Sequence, residues 1–345
     1  VSRDCRRVLP ALLVLAAPLF ACGAPPPAAP AAPCFTITGG DPELRAKDAS
    51  KTLDVLEQHI RLSPEDEALR SPKSLADIRK ILRRDTVYLF PAAAAFARTL
   101  NSVEGRFSEA YLELLTGESQ LVASQVLTTQ AAWVGGDLRI ARASLASERG
   151  EPSTDRARML GQLIRVVEEG NKIADALGAV APSHLARGAE VIRALRTEAP
   201  TDTRTFVLVA EYHRLRGEWT EFDAAMAAAE GANRVSPALR YLRAMEQLER
   251  FRRPDVGAGI LREVLKTFPR FVRGQAALVL MATNPGMALR ELSKLKQMNE
   301  DHYLVALLEP TLAAEQELGR MQGTGMPGTP GPQGTQGGGT DHVAH

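Results

Sequence analysis

Residues 203–232 read TRTFVLVAEYHRLRGEWTEFDAAMAAAEGA, and residues 237–267 read PALRYLRAMEQLERFRRPDVGAGILREVLKT. In both stretches the apolar side chains recur three and four apart, the spacing that lines one face of an α-helix. Each is broken near its middle, by Gly217-Glu218-Trp219 in the first and Arg252-Arg253-Pro254 in the second. Two helices joined by so short a break run antiparallel. The starts carry capping chemistry: Thr201 or Asp202 ahead of Phe206 offers an oxygen to free backbone amides, and Ser236-Pro237 ahead of Leu239 adds a proline preset for the first turn.

Working outward, the same periodicity extends from Glu43 to Leu318, with Gly and Pro as punctuation and almost no strand-like alternation. It predicts helices over about 43–61, 73–84, 87–101, 107–116, 118–134, 137–148, 154–178 and 183–198, the last capped by Ser183, and then regular pairs to about 318. In the first pair Phe206, Val209, Ala210 and His213 are followed by Phe222 and Met226. In the second, Tyr241, Ala244, Met245 and Leu248 are followed by Gly257 and Leu261, with Pro269 closing the unit. A shortened third pair turns at Asn284-Pro285-Gly286 and carries Ala288, Leu292 and Leu295.

This succession resembles tetratricopeptide repeats, units of about 34 residues built from two antiparallel helices with small residues where they cross. Phe222 is large where the family has alanine, Pro237 comes three residues late, and the second turn lacks its glycine. Weaker echoes lie upstream at Gly105-Arg106-Phe107 with Ala110 and Leu114, and at Gly136-Asp137-Leu138 with Ala141 and Leu145. The resemblance implies an all-α fold, a helical-repeat solenoid of antiparallel pairs, with an irregular helical bundle as the competing arrangement. A closing helix over about 301–318 would turn Tyr303, Leu304 and Leu307 inward and Glu309, Glu315 and Glu317 outward. The family's binding positions, carried over by spacing, form a candidate concave face of Arg204, Val207, Glu211, Arg214, Leu239, Leu242, Glu246 and Glu249. Its mixture of charge and aliphatics suits a peptide or a helix of another protein.

The N-terminal residues have a different chemistry. Arg3, Arg6 and Arg7 precede an apolar run from Val8 to Ala21, the order of a secretory signal. The run is about 14 residues and is interrupted by Pro10 and Pro18, which is short for a permanent membrane-spanning helix. It ends in Leu19-Phe20-Ala21-Cys22-Gly23, which resembles the lipobox of bacterial lipoproteins, although Phe20 is bulkier than usual. That resemblance implies cleavage before Cys22 and lipidation of its thiol, with two or more acyl chains needed for stable anchoring. The same resemblance implies, from Gly23 where an aspartate would retain a lipoprotein at the inner membrane, the periplasmic face of the outer membrane. Residues 23–33 are almost wholly Ala and Pro, a spacer composition, and residues 323–339 are dominated by Gly, with a collagen-like period of five triplets that is too short for a triple helix. Both ends are expected to be disordered. The expected organisation is a signal over 1–21, a linker over 22–42, a helical region with degenerate repeats over 43–198, repeats with their cap over 199–318, and a tail over 319–345.

Composition narrows the function. Lys and Arg total 42 against 41 Asp and Glu, a net charge of +1, so no basic excess tracks a nucleic acid. The local clusters Arg79-Lys80, Arg83-Arg84 and Arg252-Arg253 sit beside carboxylates and read as solvated helix faces. Of three cysteines, Cys5 leaves with the signal and Cys22 takes the lipid, leaving Cys34 to pair, weakly, with a second chain. No phosphate loop, His-Glu-His metal pattern or Gly-x-Ser-x-Gly turn occurs, and His59, His184, His213 and His302 are scattered singly, as packing or solvated residues are; His342 and His345 in the tail are too few for a metal site. No cofactor is expected. Glu118-Ser119 resembles the start of the lytic transglycosylase motif but lacks its Gly-Leu-Met-Gln continuation. The sequence therefore points to a non-enzymatic, lipid-anchored periplasmic adaptor binding a protein of an envelope assembly or secretion machine. A cell-wall enzyme on a helical scaffold and a solute-delivery partner of a transporter are the alternatives.

Overall fold

A computed structural model describes residues 69–147, 154–232, 236–310 and 312. The Leu19 to Cys22 motif, Cys34, the helix expected over 43–61, Glu315, Glu317 and the Gly-rich tail lie outside the described residues. Among the described residues every regular element is helical. Helix α1 (Leu75–Arg84) leads through a 3-10 turn (Val87–Leu89) into α2 (Phe90–Thr99). Two helices of 45 residues follow, α3 (Val103–Ser147) and α4 (Thr154–Glu198), packed against each other along their length. Then come three helix pairs: α5 (Thr203–Arg216) with α6 (Trp219–Ala232), α7 (Pro237–Glu249) with α8 (Pro254–Thr267), and α9 (Val272–Leu280) with α10 (Pro285–Met298). A last helix, α11, runs over 303–310, burying Leu304 and Leu307 and leaving Glu309 near solvent, as its periodicity predicts.

Local chemistry sets most boundaries. The Ser74 side chain accepts the Asp77 amide at the start of α1, and Asp85 ends it in the left-handed region at φ 51°. At α5 it is Asp202 rather than Thr201 that caps, accepting from the Arg204 amide, and Gly217 ends the helix at φ 68°, where a residue without a Cβ is unstrained. Asn284 caps α10 by accepting the Met287 amide ahead of Pro285. Ser236 holds the cap position of α7, yet its side chain makes no capping bond; Pro237 in the first turn supplies the start.

The long hairpin corrects the reading of the upstream region. Gly105, Gly117, Gly135, Gly136, Gly178 and Pro182 do not mark turns; all lie inside α3 or α4, and Ser183, expected as a cap, donates within α4 to the Val180 carbonyl at 2.8 Å. The echoes of a repeat turn at Gly105 and Gly136 are therefore continuous helix. An interior glycine costs a helix about 1 kcal/mol and a proline about 3 kcal/mol, sums that burial along two helices of roughly 67 Å outweighs. The glycine at 117 also has a positive use: a Cβ there would come within 2.7 Å of the Leu185 side chain, so its absence lets α3 and α4 close.

Four apolar clusters divide the interior. Ile78, Ile81, Phe90 and Ala93 of α1 and α2 pack on Leu112 and Leu115 of α3. Phe107, Leu114, Leu185 and Leu195 of the hairpin pack on Leu208 and Leu215 of α5. Phe222, Met226, Tyr241, Met245 and Leu261 bind the first two pairs together. Farther along the hairpin Val126, Leu138 and Leu163 meet Val279, Leu292, Leu304 and Leu307 of the last three helices. The helix pairs thus lie along the hairpin, and α11 returns the chain to α1. There Asn299 donates to the Arg84 carbonyl, and His302 Nε2 lies 2.8 Å from Asp85 Oδ2.

Gly257, placed by the sequence at a helix crossing, is one: an added Cβ would stand 2.7 Å from the Ala244 carbonyl oxygen of α7. Gly257→Ala is expected to lower stability by about 1–3 kcal/mol through overpacking, although alanine is the better helix former. Gly259→Ala meets open space and is expected to raise stability by up to about 1 kcal/mol. Urea midpoints of the two variants, moving in opposite directions, check the packing of α7 on α8.

Candidate functional site

The most unusual chemistry in the interior is a cluster of ionised side chains where α3, α5, α7 and α9 meet. Arg214 is buried on α5, one turn from Glu211. Its guanidinium donates to Glu211 Oε1 and Glu249 Oε1, each at 2.6 Å, and to Glu118. Arg273 of α9 donates through Nη2 to Glu118 and Glu211 and lies 4.2 Å over the Tyr241 ring. Tyr241 of α7 donates its hydroxyl to Glu118 Oε1 at 3.2 Å. Three carboxylates, two guanidiniums and a phenol therefore come from four helices spread over more than 150 residues of chain.

Burial affects these groups unequally. Alone it would raise the Glu118 carboxyl, but the guanidiniums of Arg273 and Arg214 outweigh it and hold the group at about 2. Glu249 shows the reverse balance: burial dominates, Arg214 offsets only part of it, the charge of Glu118 adds to the rise, and the carboxyl is pushed up to about 7. Burial also pushes the Tyr111 and Tyr241 hydroxyls above their ordinary range, so both stay protonated.

A cleft of about 40 Å³ opens beside the cluster, lined by Glu118, Ser119, Tyr241 and Arg273 on one side and by Asp85, His302 and Tyr303 on the other. Its volume suits a few water molecules. The groups around it are committed to internal hydrogen bonds. His302 Nδ1 accepts the Leu304 amide at 3.2 Å, which assigns the ring proton to Nε2 beside Asp85 and leaves neither nitrogen free to take a substrate proton. Ser119 donates to the Thr116 carbonyl at 3.0 Å. Glu118, the residue that resembles a transglycosylase acid, is held ionised by two arginines, the opposite of what a proton donor needs. The chemistry of this arrangement is helix clamping. Among the described residues no group of three or more His, Cys, Asp or Glu is arranged to hold a metal ion.

The face expected to meet a partner is turned inward. Glu211, Arg214, Leu239, Leu242 and Glu246 are buried, Glu249 is nearly so, and Val207 is half-buried. Only Arg204 is exposed, bridging Glu104 of α3 and Asp202 while stacking over Phe107 at 4.0 Å. The reasons differ along it: Glu118 of α3 meets Arg214, which also holds Glu211 and Glu249; Leu239 and Leu242 pack among the first two helix pairs; and Glu246 is held by Arg243 and Arg250. Sequence reasoning overlooked Arg273. A signal was present, since Val272–Leu280 is an otherwise uncharged, largely apolar helix and a lone arginine in it must find carboxylates. Of the scattered histidines, His184 lies 2.6 Å from Glu113 and His213 lies 2.7 Å from Glu218, while His302 pairs with Asp85; His59 is outside the described residues.

A second polar node ties α2 to the hairpin. Arg98 donates to Glu109 at 2.6 Å and to Glu113 at 3.3 Å, and Glu113 is also reached by His184 and Arg187 of α4. Neither protein-family models nor curated proteins nor solved structures yield a match to this chain.

Glu118→Gln is expected to destabilise the protein by about 3–5 kcal/mol, because it leaves two buried guanidiniums short of a charge. The pH dependence follows the same balance. The Glu118 carboxyl is depressed in the folded state, so its contribution is present above the ordinary value of 4.5 and is lost as pH falls toward about 2. Acid unfolding curves that remain superimposable for wild type and Glu118→Gln would contradict this assignment.

Proposed function

We propose that this chain is a lipid-anchored scaffold of a bacterial envelope, cut before Cys22 and held through that cysteine at the periplasmic face of the outer membrane. On this reading its helix pairs form a degenerate tetratricopeptide-like array that binds another protein of an assembly or secretion machine. The observation that carries the reading is the sequence Leu19-Phe20-Ala21-Cys22, behind a charged and then apolar leader and ahead of an Ala/Pro spacer. Two features of the structure are consistent with it. Among the described residues no helix is long and apolar enough to cross a membrane. The helix pairs are also clamped to a long hairpin by buried charge, which gives a rigid body suited to presenting a surface.

That surface is not the inward face of α5 and α7. The outer side offers α8 and its two flanks, where Phe251, Val256 and Phe268 are each at least 40 % exposed. Exposed aromatic side chains such as Phe251 and Phe268 are frequent anchors of a protein interface.

Cys22→Ser is expected to move the protein from the membrane to the soluble fraction of lysed cells and to abolish incorporation of a labelled fatty acid. Unchanged partitioning and labelling would refute the anchor. Photocrosslinking residues placed at Phe251 and Phe268 in intact envelopes are expected to capture one discrete protein, whereas the same probe at exposed Arg240 on α7 is expected to capture none; equal capture from all three sites would refute the assigned surface.

A further inference from the structure

We propose that the buried ion cluster is a proton-operated latch, in which Glu249 carries a proton while the end of α7 is docked and releases the α7–α8 corner when that proton is lost.

Counting charges inside the cluster leads to this. Glu118, Glu211 and Glu249 supply three carboxylates, whereas Arg214 and Arg273 supply two guanidiniums. An interior group of low polarisability does not keep an uncompensated charge; it takes up a proton instead. The geometry says which carboxylate does so. Glu118 accepts from both arginines and from Tyr241, and Glu211 accepts from both arginines. Glu249 has a single bond, from Arg214 Nη1 at 2.6 Å. It is the carboxylate whose ionisation is least supported, and its elevation to about 7 by burial agrees.

Among the described residues, the charged neighbours on each packed element are paired elsewhere or repel Glu249. On its own helix, Glu246 is taken by Arg243 at 3.0 Å and by Arg250 at 3.1 Å, and Arg250 is shared with Asp223 of α6 at 2.9 Å. Arg243 also holds Glu230 of α6. On α5, Glu211 faces it as a like charge, and His213 and Arg216 are turned to Glu218. From α3 Glu118 repels it, and Arg273 of α9 is committed to Glu118 and Glu211. On α8, Lys266 pairs with Glu263, Arg262 lies nearest Glu291, and Asp255 is exposed.

Position makes Glu249 the moving part. It is the last residue of α7, and the corner after it holds exposed Phe251 and Arg252, the latter in the left-handed region at φ 56°. A non-glycine residue there costs about 1 kcal/mol or more, which lowers the cost of opening this corner. Once ionised, Glu249 reaches water by unwinding the last turn of α7, while Glu118 and Glu211 keep both arginines neutralised. The sign follows: a carboxyl raised by folding stabilises the docked form below its ordinary value of 4.5, and that contribution is lost as pH rises through about 7.

The test is amide hydrogen exchange on the full chain, corrected for intrinsic rates, at about pH 5.5 and about pH 8.5. With a docked value of about 7 against 4.5 when open, protection of the C-terminal turn of α7 is expected to fall about 30-fold between these conditions. Glu249→Gln, which copies the protonated acid, is expected to show no such fall and to stay better protected than wild type at both pH values. A pH-independent wild type, or a variant that keeps the wild-type slope, overturns the latch; the second outcome would transfer the titration to a histidine. Should the variant fail to fold, carbon-13 NMR of labelled glutamate carboxyls in the wild type decides: one carboxyl titrating above about pH 6 supports the proposal, and none doing so overturns it.

Discussion

One fully buried arginine, Arg214, and a second that reaches only a narrow cleft, Arg273, have to be neutralised inside this protein, and the way that is done organises the molecule. Arg214 belongs to the first helix pair and Arg273 to the third, but neither pair neutralises its arginine alone. Glu211 serves both, and the decisive carboxylate, Glu118, comes from the middle of the hairpin. Breaking a buried ion pair on one side is far more costly than the pair is worth as a whole, because the remaining charge is left without solvent. The cluster therefore fixes which helices are neighbours and in what register, while the apolar clusters on either side supply most of the burial.

The hairpin is the second constraint. Two helices of 45 residues expose more apolar surface than either covers on the other, and that surface is divided among α1 and α2, α5, and the last three helices. Covering it consumes the inner faces of the helix pairs. Of the helix pairs, α5, α9 and α10 meet the hairpin in these apolar clusters, whereas α7 reaches it through Tyr241 and the buried charges. The chain also closes on itself, since the Asp85–His302 pair and the Asn299 bond to the Arg84 carbonyl join elements more than 200 residues apart.

Much of the fold could be read from the residues. The helix pairs from α5 to α10, their turns at Gly217 and Asn284, the crossing glycine at 257 and the inward Leu304 and Leu307 all follow from spacing and capping, because these are local properties of the chain. The long hairpin did not, since Gly117, Gly136 and Pro182 carry the same local signal whether they end a helix or sit in one. Only the burial available to the finished hairpin decides between the two, and that depends on residues far away in sequence.

The candidate site divides in the same way. The sequence by itself determined that Glu211, Arg214, Glu246 and Glu249 share the helix faces of the first and second pairs, and it placed a lipobox-like motif at Cys22. What the tertiary structure decided is the direction in which those faces look. A charged residue at a helical spacing is equally compatible with solvent and with a buried counter-ion; for Glu211 and Arg214 the choice was made by Glu118 arriving from α3 and Arg273 from α9, and for Glu246 by Arg243 and Arg250. Periodicity fixes which side chains stand together on a helix; only three-dimensional packing fixes what they meet.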